Sequence, residues 1–588
     1  MTGPYSPVNP ESLVTDPAAV RAALARILAT GHFQQSEAQA RLLRRAVEET
    51  LAGRRCKLKN APAAKLRARL AEYYAAEGLR DPVRIELPMD DSAAVFSVAA
   101  PLPRPARRLW LWLALALAGA VLLIWAGSWW RARTASAQVR SLAVLPFVDL
   151  TPRKNDEWFA ASFTGEIIDS LDRAPGLRVA ARTSAFRVKG NAGRQLGVEA
   201  VIEGDIRRSG DRLRIGLQMN RTSDGYHLWS ANFDLPTQDL PAAQHAIATA
   251  IAGRLQIHLP APLPHRHRPQ PRAYNAYLQG RSSFDRSNPE ALNKAAERLE
   301  ESIRIDADFA LAWAWLSIVR EYRVAAGMAR PNQAMPASRD AAERAVALDP
   351  DCGEAHLALG IVKLQYDWDW AAAKEELDRT LEASPGSAFA LEWRAHWYEA
   401  QGRMNEAISE MERARALDPL SGVILGEIAD QYVSLSQPER ALPFAQKAVD
   451  LNPDEVAPRS ALAEVLLLAG QKEKSRQIVE QPRNPAGAKL PANVLASLAA
   501  QLGDPATARQ LLNQAEDLPD EELLPAVAYA GLAGAVHDWD RLFSWTEEAY
   551  GERDVQLPYL RMSPLMPAAD PRFAAFLARM NLPASPAR

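Results

Sequence analysis

Three acidic side chains lie close together in the segment LGVEAVIEGDIRRSG, near the middle of the chain. Glu199, Glu203 and Asp205 are the residue types that general acid–base catalysis or a metal site would need. The segment alternates like a strand, so Glu203 and Asp205 share one face, but Arg207 lies on that face too. A salt-bridged sheet surface is the better interpretation, because opposite charges pair across neighbouring positions of a sheet.

Other segments contain reactive residue types, but each lacks a partner that the chemistry requires. Arg182–Thr183–Ser184 has hydroxyl groups without an accompanying histidine base, so it predicts no nucleophile. The glycine-containing segment 190–193 lacks the Lys-Ser/Thr pair of a phosphate-binding loop. His265 and His267 lie among prolines with no further ligand nearby, and we interpret them as part of a solvated spacer. The sequence therefore predicts no enzyme activity, no catalytic residue, no cofactor and no metal site.

The length and charge distribution of the chain indicate several domains of different character. A chain of 588 residues is too long for one core. Residues 1–108 contain 17 Lys and Arg against 11 Asp and Glu, whereas the remainder is net acidic. A basic arm of this kind is typical of a segment that faces anionic lipid or nucleic acid.

One uncharged stretch, residues 109–130 with the sequence LWLWLALALAGAVLLIWAGSWW, separates these two parts. As a helix it would extend roughly 33 Å, enough to cross a hydrocarbon core of about 30 Å. Tryptophans lie near both ends, where indole rings prefer the membrane interface. The stretch predicts a transmembrane helix and lipid as a partner, and the more basic arm predicts that the N-terminus is cytoplasmic.

Residues 1–87 of the basic arm predict a small helical domain. Asp16 and Pro17 are typical of a helix start, and apolar residues follow at helical spacing. A second helix begins after Ser36, a third covers Ala64–Glu77, and a short strand follows. The proline-containing residues 88–108 predict a linker.

After the uncharged stretch, residues 139–259 predict an α/β domain. SLAVLPFVDL is a strand, Glu157–Leu171 is helical by spacing, and LRVAARTSAF is a second strand. Three further strands follow, of which DRLRIGLQMNR alternates apolar and polar residues with period 2. A helix over Ala242–Leu259 closes the domain.

Motifs in both parts resemble known bacterial families. "SLAVLPF", "FTGEIIDSL", "LRVAARTSAFRVKG", "LGVEAVIEGDIRRSGDRLRI" and "DGYHLWSANFD" are similar, in order, to the TolB N-terminal-like domain. The stretches "RILATGHF…SEAQARLLRRAVEETLAGR…LK" and "KLRARLAEYYAAEGLRDPVRIELP" resemble the N-terminal domain of single-pass membrane proteins with a periplasmic array of tetratricopeptide repeats (TPR). The first resemblance implies a non-catalytic domain that contacts other proteins. The second implies a protein of the bacterial inner membrane whose C-terminal region is periplasmic.

The C-terminal half repeats with a helical period. After a proline-rich linker at 260–272, nearly even intervals separate Pro350, Pro385, Pro419 and Pro453. Their period, about 34 residues, is that of TPR helix pairs, which must stack to bury their apolar faces. Residues 273–487 therefore predict TPR repeats, and 488–588 predict less regular helices with a C-terminal cap.

The first helix of each TPR pair lines the concave face of the array. Helical spacing predicts a mildly acidic groove there, suited to a protein or peptide with basic and apolar residues. Its predicted contact residues are Phe389, Glu392, His396, Glu399, Val423, Asp430, Val433, Ser460, Glu464 and Leu467.

The predicted fold class is thus multidomain: a small helical N-terminal domain, one transmembrane helix, an α/β TolB-like domain and an all-α TPR solenoid. The predicted function is a non-enzymatic, membrane-anchored scaffold or sensor that binds protein or peptide partners. The alternative is a membrane-tethered transcription regulator whose N-terminal domain binds DNA, which the basic third helix would favour.

Overall fold

The computed structural model divides the chain into two compact units, Met1–Thr134 and Ala135–Arg588. The first contains a small helical domain, and the second contains a mixed sheet and a long series of helices. The residues that the structure describes are 16–54, 60–88, 93–98, 139–151, 157–260, 267–284, 288–453, 455–480, 498–499, 504–516, 525–563 and 566–583.

The first unit consists of helices and a two-stranded antiparallel sheet. Its elements are α1 (Pro17–Ala29), α2 (Gly31–Gln34), α3 (Glu37–Leu51), α4 (Asn60–Ala75), β1 (Val83–Glu86) and β2 (Val95–Val98). The carboxylate of Asp16 accepts a hydrogen bond from the Ala18 backbone N–H at 3.0 Å, which caps α1 as the sequence predicts. Strand β2 lies inside residues 88–108, so that segment is not entirely a linker.

The predicted membrane span is contradicted by the structure. Among the described residues, none of the helices combines the length and the apolar character that a bilayer crossing needs. Ala526–Ala535, for example, is apolar throughout but has 10 residues, which extend about 15 Å. The predicted span, residues 109–130, lies outside the described residues. The structure therefore contradicts the predicted fold class with a transmembrane helix and the predicted inner-membrane localisation with its orientation. It does not support lipid as a partner, and the membrane-tethered DNA-binding alternative is not favoured.

The second unit opens with a mixed sheet. Its strands are β3 (Ser141–Val144), β4 (Val148–Asp149), β5 (Arg178–Val179), β6 (Ala200–Ser209), β7 (Arg212–Arg221) and β8 (His227–Pro236). They lie in the order β5-β3-β6-β7-β8, with β4 beside β6. Strand β3 is parallel to β5 and β6, and β4 is parallel to β6, whereas β7 is antiparallel to both β6 and β8. The accompanying helices are α5 (Glu157–Leu171), α6 (Arg182–Arg187), α7 (Ala192–Leu196) and α8 (Leu240–Leu255).

Strand β7 shows why the sheet forms where the sequence predicts it. Leu213, Ile215, Leu217 and Met219 are buried, whereas the intervening Arg212, Arg214 and Gln218 are exposed. This period-2 alternation gives the sheet one apolar face. Helices α5 and α8 pack against each other and complete the core on that side.

The predicted second strand, LRVAARTSAF, is mostly wrong. Only Arg178–Val179 is a strand, and Arg182–Arg187 forms helix α6. The Ala181 backbone N–H donates to the Leu417 carbonyl at 2.8 Å, so the chain leaves the sheet to contact the helical array. The segment has few β-branched residues, so its strand propensity is weak. The tertiary contact therefore decides its local structure.

The helical array is a series of antiparallel pairs. The helices are α9 (Pro271–Phe284), α10 (Pro289–Ile305), α11 (Ala310–Ala325), α12 (Pro331–Leu348), α13 (Gly353–Val362), α14 (Trp370–Ala383), α15 (Ala388–Ala400), α16 (Met404–Leu417), α17 (Gly422–Ser434), α18 (Pro438–Leu451), α19 (Val456–Leu468) and α20 (Lys472–Glu480). The four regularly spaced prolines lie in the turns between pairs, where the missing N–H and fixed φ end one pair before the next begins. Ala407 and Ala414 on α16 are completely buried, which allows the helices to approach closely.

The first helices of successive pairs lie side by side. Helix α9 contacts α11, α11 contacts α13, and α17 contacts α19. Each second helix packs between its own partner and the first helix of the following pair. These contacts place the first helices, including α15, α17 and α19, on the inner layer of the array.

The C-terminal residues return to the middle of the array. They form α21 (Pro505–Glu516), α22 (Ala526–Ala535), α23 (Trp539–Glu552), a 3-10 helix (Leu557–Met562) and α24 (Pro571–Arg579). The Trp370 indole N–H donates to the Met580 carbonyl at 2.9 Å, and the Trp368 ring packs on Tyr550. A π-helical turn at Lys363–Asp367 interrupts the repeat pattern just before these two tryptophans.

The sheet domain and the array pack together within the second unit. The Ser162 hydroxyl of α5 donates to the Leu278 carbonyl of α9 at 3.1 Å. Residues of the sheet domain also contact the turns that precede three successive first helices. These pairs are Asp172 with Gly386, Ser184 with Asp418, and Arg187 with Asn452.

Candidate peptide-binding groove

The predicted groove residues lie on α15, α17 and α19, three first helices of the inner layer. The structure separates them by exposure. Glu392, Val433 and Leu467 are buried; Phe389, His396, Glu399, Ser460 and Glu464 are partly buried; Val423 and Asp430 are exposed. The predicted residues therefore lie on first helices of the array, but only part of the set is exposed.

The α15 part of the predicted groove is covered by the chain itself. The 3-10 helix Leu557–Met562 packs on α15, and the Tyr559 ring lies 5.5 Å from the His396 ring. A guanidinium nitrogen of Arg561 donates to the Ala400 carbonyl at 3.2 Å and satisfies a backbone acceptor at the C-terminal end of α15. A ligand that reached this part of α15 would have to displace the C-terminal segment.

Phe389 belongs to a stack of aromatic rings between helices α9, α11 and α15. Its ring is parallel to that of Trp315, with the two centroids 6.1 Å apart. Phe284, Tyr322 and Trp393 complete the stack, and successive centroids lie 4.9–6.4 Å apart. Aromatic pairs at such distances stabilise a core. We therefore assign Phe389 to packing between repeats.

Two carboxylates are buried beside this stack. Glu321 on α11 is 1% exposed and Glu392 on α15 is 8% exposed. Burial raises the pKa of Glu321 to about 8, although the positive charge of His396 opposes the shift. Burial also raises the pKa of Glu392 well above its ordinary value, and the nearby charge of Glu427 adds to the effect.

His396 lies between two further carboxylates. Its Nδ1 atom is 3.5 Å from Glu399 Oε2, and its Nε2 atom is 3.4 Å from Glu427 Oε1 on α17. Burial disfavours the imidazolium, but the charges of Glu427 and Glu399 outweigh it and raise the pKa of His396 well above its ordinary value. The α15 end of the inner layer is thus an enclosed acidic and aromatic site.

The α17 and α19 part of the inner layer remains open. Val423 is 56% exposed at the start of α17, and Asp430 is exposed two turns later on the same helix. Enclosure of its carboxylate by the array raises the pKa of Asp430 well above its ordinary value, and the charge of Glu464 on α19 adds to the shift. Neither carboxylate forms an ion pair with a described residue, so no cation of the described chain compensates this open acidic segment.

Residues that the sequence singled out for catalysis have structural partners. A carboxylate oxygen of Glu199 accepts the Arg140 backbone N–H at 2.7 Å, and Asp205 lies opposite Gly216 in the antiparallel β6–β7 ladder. Ser184 hydrogen-bonds the Asp418 carboxylate and accepts the Leu420 N–H at 2.8 Å. Glu199 and Ser184 thus have hydrogen-bond partners, whereas the salt-bridged sheet surface around Glu203, Asp205 and Arg207 stays a prediction.

His267 corrects the interpretation of the proline-rich segment as a solvated spacer. Its Nε2 atom lies 2.7 Å from Asp306 Oδ1 at the end of α10, and the same carboxylate accepts the Gln270 N–H at 2.8 Å. The end of the connector is therefore attached to the array, whereas His265 lies outside the described residues.

Sequence reasoning missed Glu321, Glu427 and Tyr559 as parts of the enclosed site. Glu321 is the one acidic residue in the apolar helix ALAWAWLSIVREYRVA, which was a usable signal for a buried carboxylate. Tyr559 reaches His396 from a distant part of the chain, and no local pattern predicts such a contact.

Part of the chain is similar in sequence to a known bacterial protein. A stretch of 189 residues is 33% identical to "Putative adenylate cyclase 3" of Rhizobium meliloti (strain 1021). The match covers 30% of this chain and 32% of that protein, so the chain spans about a third of the relative's length. No family model matches the chain.

Solved structures with a similar fold include TPR proteins. TTC0263 of Thermus thermophilus is 18% identical, with a TM-score of 0.28, over 33% of this chain and 99% of its own. Pseudomonas aeruginosa pilF is 17% identical, with a TM-score of 0.27, over 42% and 94% of the two chains. YrrB, a TPR protein, is 20% identical, with a TM-score of 0.21, over 31% and 89%. Because these TM-scores are below 0.5, the TPR assignment rests on the helix pairs and their proline spacing.

Proposed function

We propose that this TPR protein is a non-enzymatic scaffold whose open groove, formed by α17 and α19, binds a peptide segment with cationic and apolar residues. The groove is defined by Val423, Asp430, Ser460 and Glu464. The single observation that supports it most is the pair of uncompensated carboxylates, Asp430 and Glu464, on adjacent inner helices. An apolar contact at Val423 would add affinity that charge alone does not provide.

The shape of the site supports a peptide ligand over a small molecule. Inner helices that lie side by side form an extended surface, and such surfaces in repeat proteins take extended segments. Two cavities among the described residues, of about 490 and 310 Å³, are lined by α18–α20 and by the ends of α11, α12 and α23. Neither contains one of the four groove residues.

The sheet domain is part of the same proposal. Its motifs resemble the TolB N-terminal-like domain, which implies a protein-contact role, and its contacts to three consecutive turns of the array would hold the inner helices in register. The cyclase activity in the name of the Rhizobium relative is not extended to this chain, because the chain spans only a third of that protein.

Isothermal titration with two matched peptides tests the proposed groove. One peptide alternates Leu and Lys, and the other alternates Leu and Glu at the same length. We expect the Lys peptide to bind and the double variant Asp430→Asn/Glu464→Gln to bind it at least tenfold more weakly, which corresponds to about 1.4 kcal/mol. Raising the salt concentration should also weaken binding, because the carboxylates are accessible to ions.

The matched control is Glu439→Gln, which removes an exposed carboxylate from α18, a second helix outside the inner layer. We expect this variant to bind the Lys peptide like the unaltered chain. Equal affinity of the two peptides, or an equal loss in the control and the double variant, would exclude the groove as the binding site.

A further inference from the structure

The enclosed site under the C-terminal segment has the geometry of a metal site. Glu392 and His396 lie four residues apart on α15 and so share a face of the helix. Glu427 reaches them from α17, and one ligand atom from each of the three side chains lies within 4.8 Å of the others. We propose that Glu392, His396 and Glu427 bind a zinc ion that joins α15 to α17.

The orientation of the imidazole supports this assignment. Nε2 faces Glu427 at 3.4 Å, and Nδ1 faces Glu399 at 3.5 Å. A metal-bound histidine commonly presents its second ring nitrogen to a carboxylate, which orients the ring and fixes its tautomer. Glu399 is in the position of that orienting carboxylate, and Glu427 is in the position of a ligand.

An unpartnered carboxylate oxygen supports a cation besides the ligand geometry. Glu321 on α11 is 1% exposed, and its Oε2 atom has no hydrogen-bond partner among the described residues. An unpartnered buried carboxylate is costly unless a proton or cation compensates it.

The cluster combines one imidazole with several carboxylates. His396 lies between Glu399 and Glu427, and Glu392 is on the same helix as His396. Glu392 forms no ion pair with any described residue, although it is almost completely buried. A divalent ion would compensate two of these charges at once.

The ligand types favour zinc among the divalent ions. Imidazole with carboxylates suits zinc, whereas calcium and magnesium sites use oxygen ligands alone. Tetrahedral zinc with bonds of about 2.1 Å places its ligand atoms about 3.4 Å apart. The His396–Glu427 separation already has this value, and the ligand atoms of all three side chains lie within 4.8 Å of one another.

Three protein ligands leave one tetrahedral position for a water molecule. The covered position of the site nevertheless predicts a structural role for the metal. The aromatic rings of Trp393 and Tyr559 lie 5.2 and 5.5 Å from the His396 ring and cover it. A zinc ion at this position would fasten two inner helices and keep the surface that receives the C-terminal segment in shape.

Zinc binding by the full-length chain tests the proposal. The chain is stripped with a chelator and titrated with zinc against a chromophoric competitor, and its thermal melting is followed with and without zinc. We expect one zinc ion per chain and a higher melting temperature in its presence. The variants Glu427→Gln and His396→Gln should each lower zinc affinity at least tenfold and abolish the thermal shift.

The control His227→Gln removes an exposed imidazole from β8 and should bind zinc like the unaltered chain. The metal readout is independent of peptide binding at α17 and α19, so the two proposals can fail separately. Absence of stoichiometric zinc binding in the unaltered chain overturns the metal site, even if the variants do not fold. Zinc binding that is unchanged in both folded variants also overturns it. The same holds if the enclosed site binds a lysine-containing peptide and takes up no zinc.

Discussion

Ser184 joins the sheet domain to the array through its side chain. Its hydroxyl donates to the Asp418 carboxylate, which is only 5% exposed. Burial raises the pKa of Asp418, and the hydrogen bond from Ser184 opposes that shift. A serine that sequence reasoning excluded as a nucleophile therefore satisfies a buried charge.

Removal of this hydroxyl should destabilise the second unit. Ser184→Ala removes one of the hydrogen-bond donors to Asp418, and we expect a loss of about 1 kcal/mol in the free energy of unfolding. Denaturant titration followed by circular dichroism measures it. Ser230→Ala, at an exposed position on β8, is the control and should change little. Equal stability of the two variants would contradict the assigned role of Ser184.

Glu166 makes the stability of the contact between the sheet domain and the array depend on pH. One of its carboxylate oxygens accepts a hydrogen bond from the Tyr277 hydroxyl at 3.2 Å. The other lies 3.4 Å from the Tyr274 hydroxyl, which donates to Gln244 Oε1 at 2.6 Å. Burial raises the pKa of Glu166 to about 7, although the charge of Arg281 opposes the shift. Between its ordinary value of 4.5 and pH 7, the folded state binds more protons than the unfolded state, so stability falls as the pH rises.

Neutralising Glu166 should therefore stabilise the protein only at the higher pH. We expect Glu166→Gln to raise the free energy of unfolding by about 1 kcal/mol at pH 8 and to change it little at pH 4. Melting temperatures at the two pH values measure the difference. Asp224→Asn, at an exposed turn, should show no such gain at pH 8. A larger gain at pH 4 than at pH 8 would contradict the sign of the shift.

At the scale of elements, the C-terminal helices depend on the π-helical turn. A guanidinium nitrogen of Arg553 donates to the Tyr366 carbonyl at 2.8 Å, and the guanidinium lies 4.9 Å from the Trp368 ring. These contacts satisfy a carbonyl that the irregular turn leaves without a helical partner. Arg553 thus fixes α23 to the turn between α13 and α14.

Loss of Arg553 should loosen the C-terminal segment selectively. We expect Arg553→Met to lower the free energy of unfolding by about 1 kcal/mol and to speed proteolytic release of the residues after 524. Limited proteolysis followed by mass spectrometry measures the rate. Arg413→Met, at an exposed position on α16, is the control. Equal release rates would show that the turn does not hold the segment.

The regular elements were predictable because each carries a local period. The alternation in β7 and the even proline spacing identify the strand and the helix pairs before any contact is known. Helix α6 was not predictable, because contacts to a distant part of the chain, the turns of the array, decide its conformation. The transmembrane helix was predicted from an uncharged apolar stretch with tryptophans near both ends, and the described helices contradict it.

The exposure of the residues in the predicted groove was not predictable, for a related reason. Helical spacing selects the face of α15, α17 and α19, but it cannot show that the C-terminal segment covers α15. The buried position of Glu392 and the stacking of Phe389 follow from residues far apart in the chain. Val423 and Asp430 on α17 are exposed, whereas Glu392 on α15 is 8% exposed.

At the scale of the second unit, the sheet domain contacts three consecutive turns of the array. Such contacts restrict how far the inner helices can separate, because neighbouring repeats otherwise contact only each other. The open groove therefore lies on a fixed framework, which lowers the conformational cost of binding an extended peptide.

Reversing the charge of the groove tests the central claim most directly. Isothermal titration of the variant Asp430→Lys/Glu464→Lys with the two alternating peptides should show inverted preference, with the Glu peptide bound more tightly than the Lys peptide. The unaltered chain should prefer the Lys peptide under the same conditions. A variant that folds normally but keeps the original preference would contradict the account, since the peptide would then bind elsewhere.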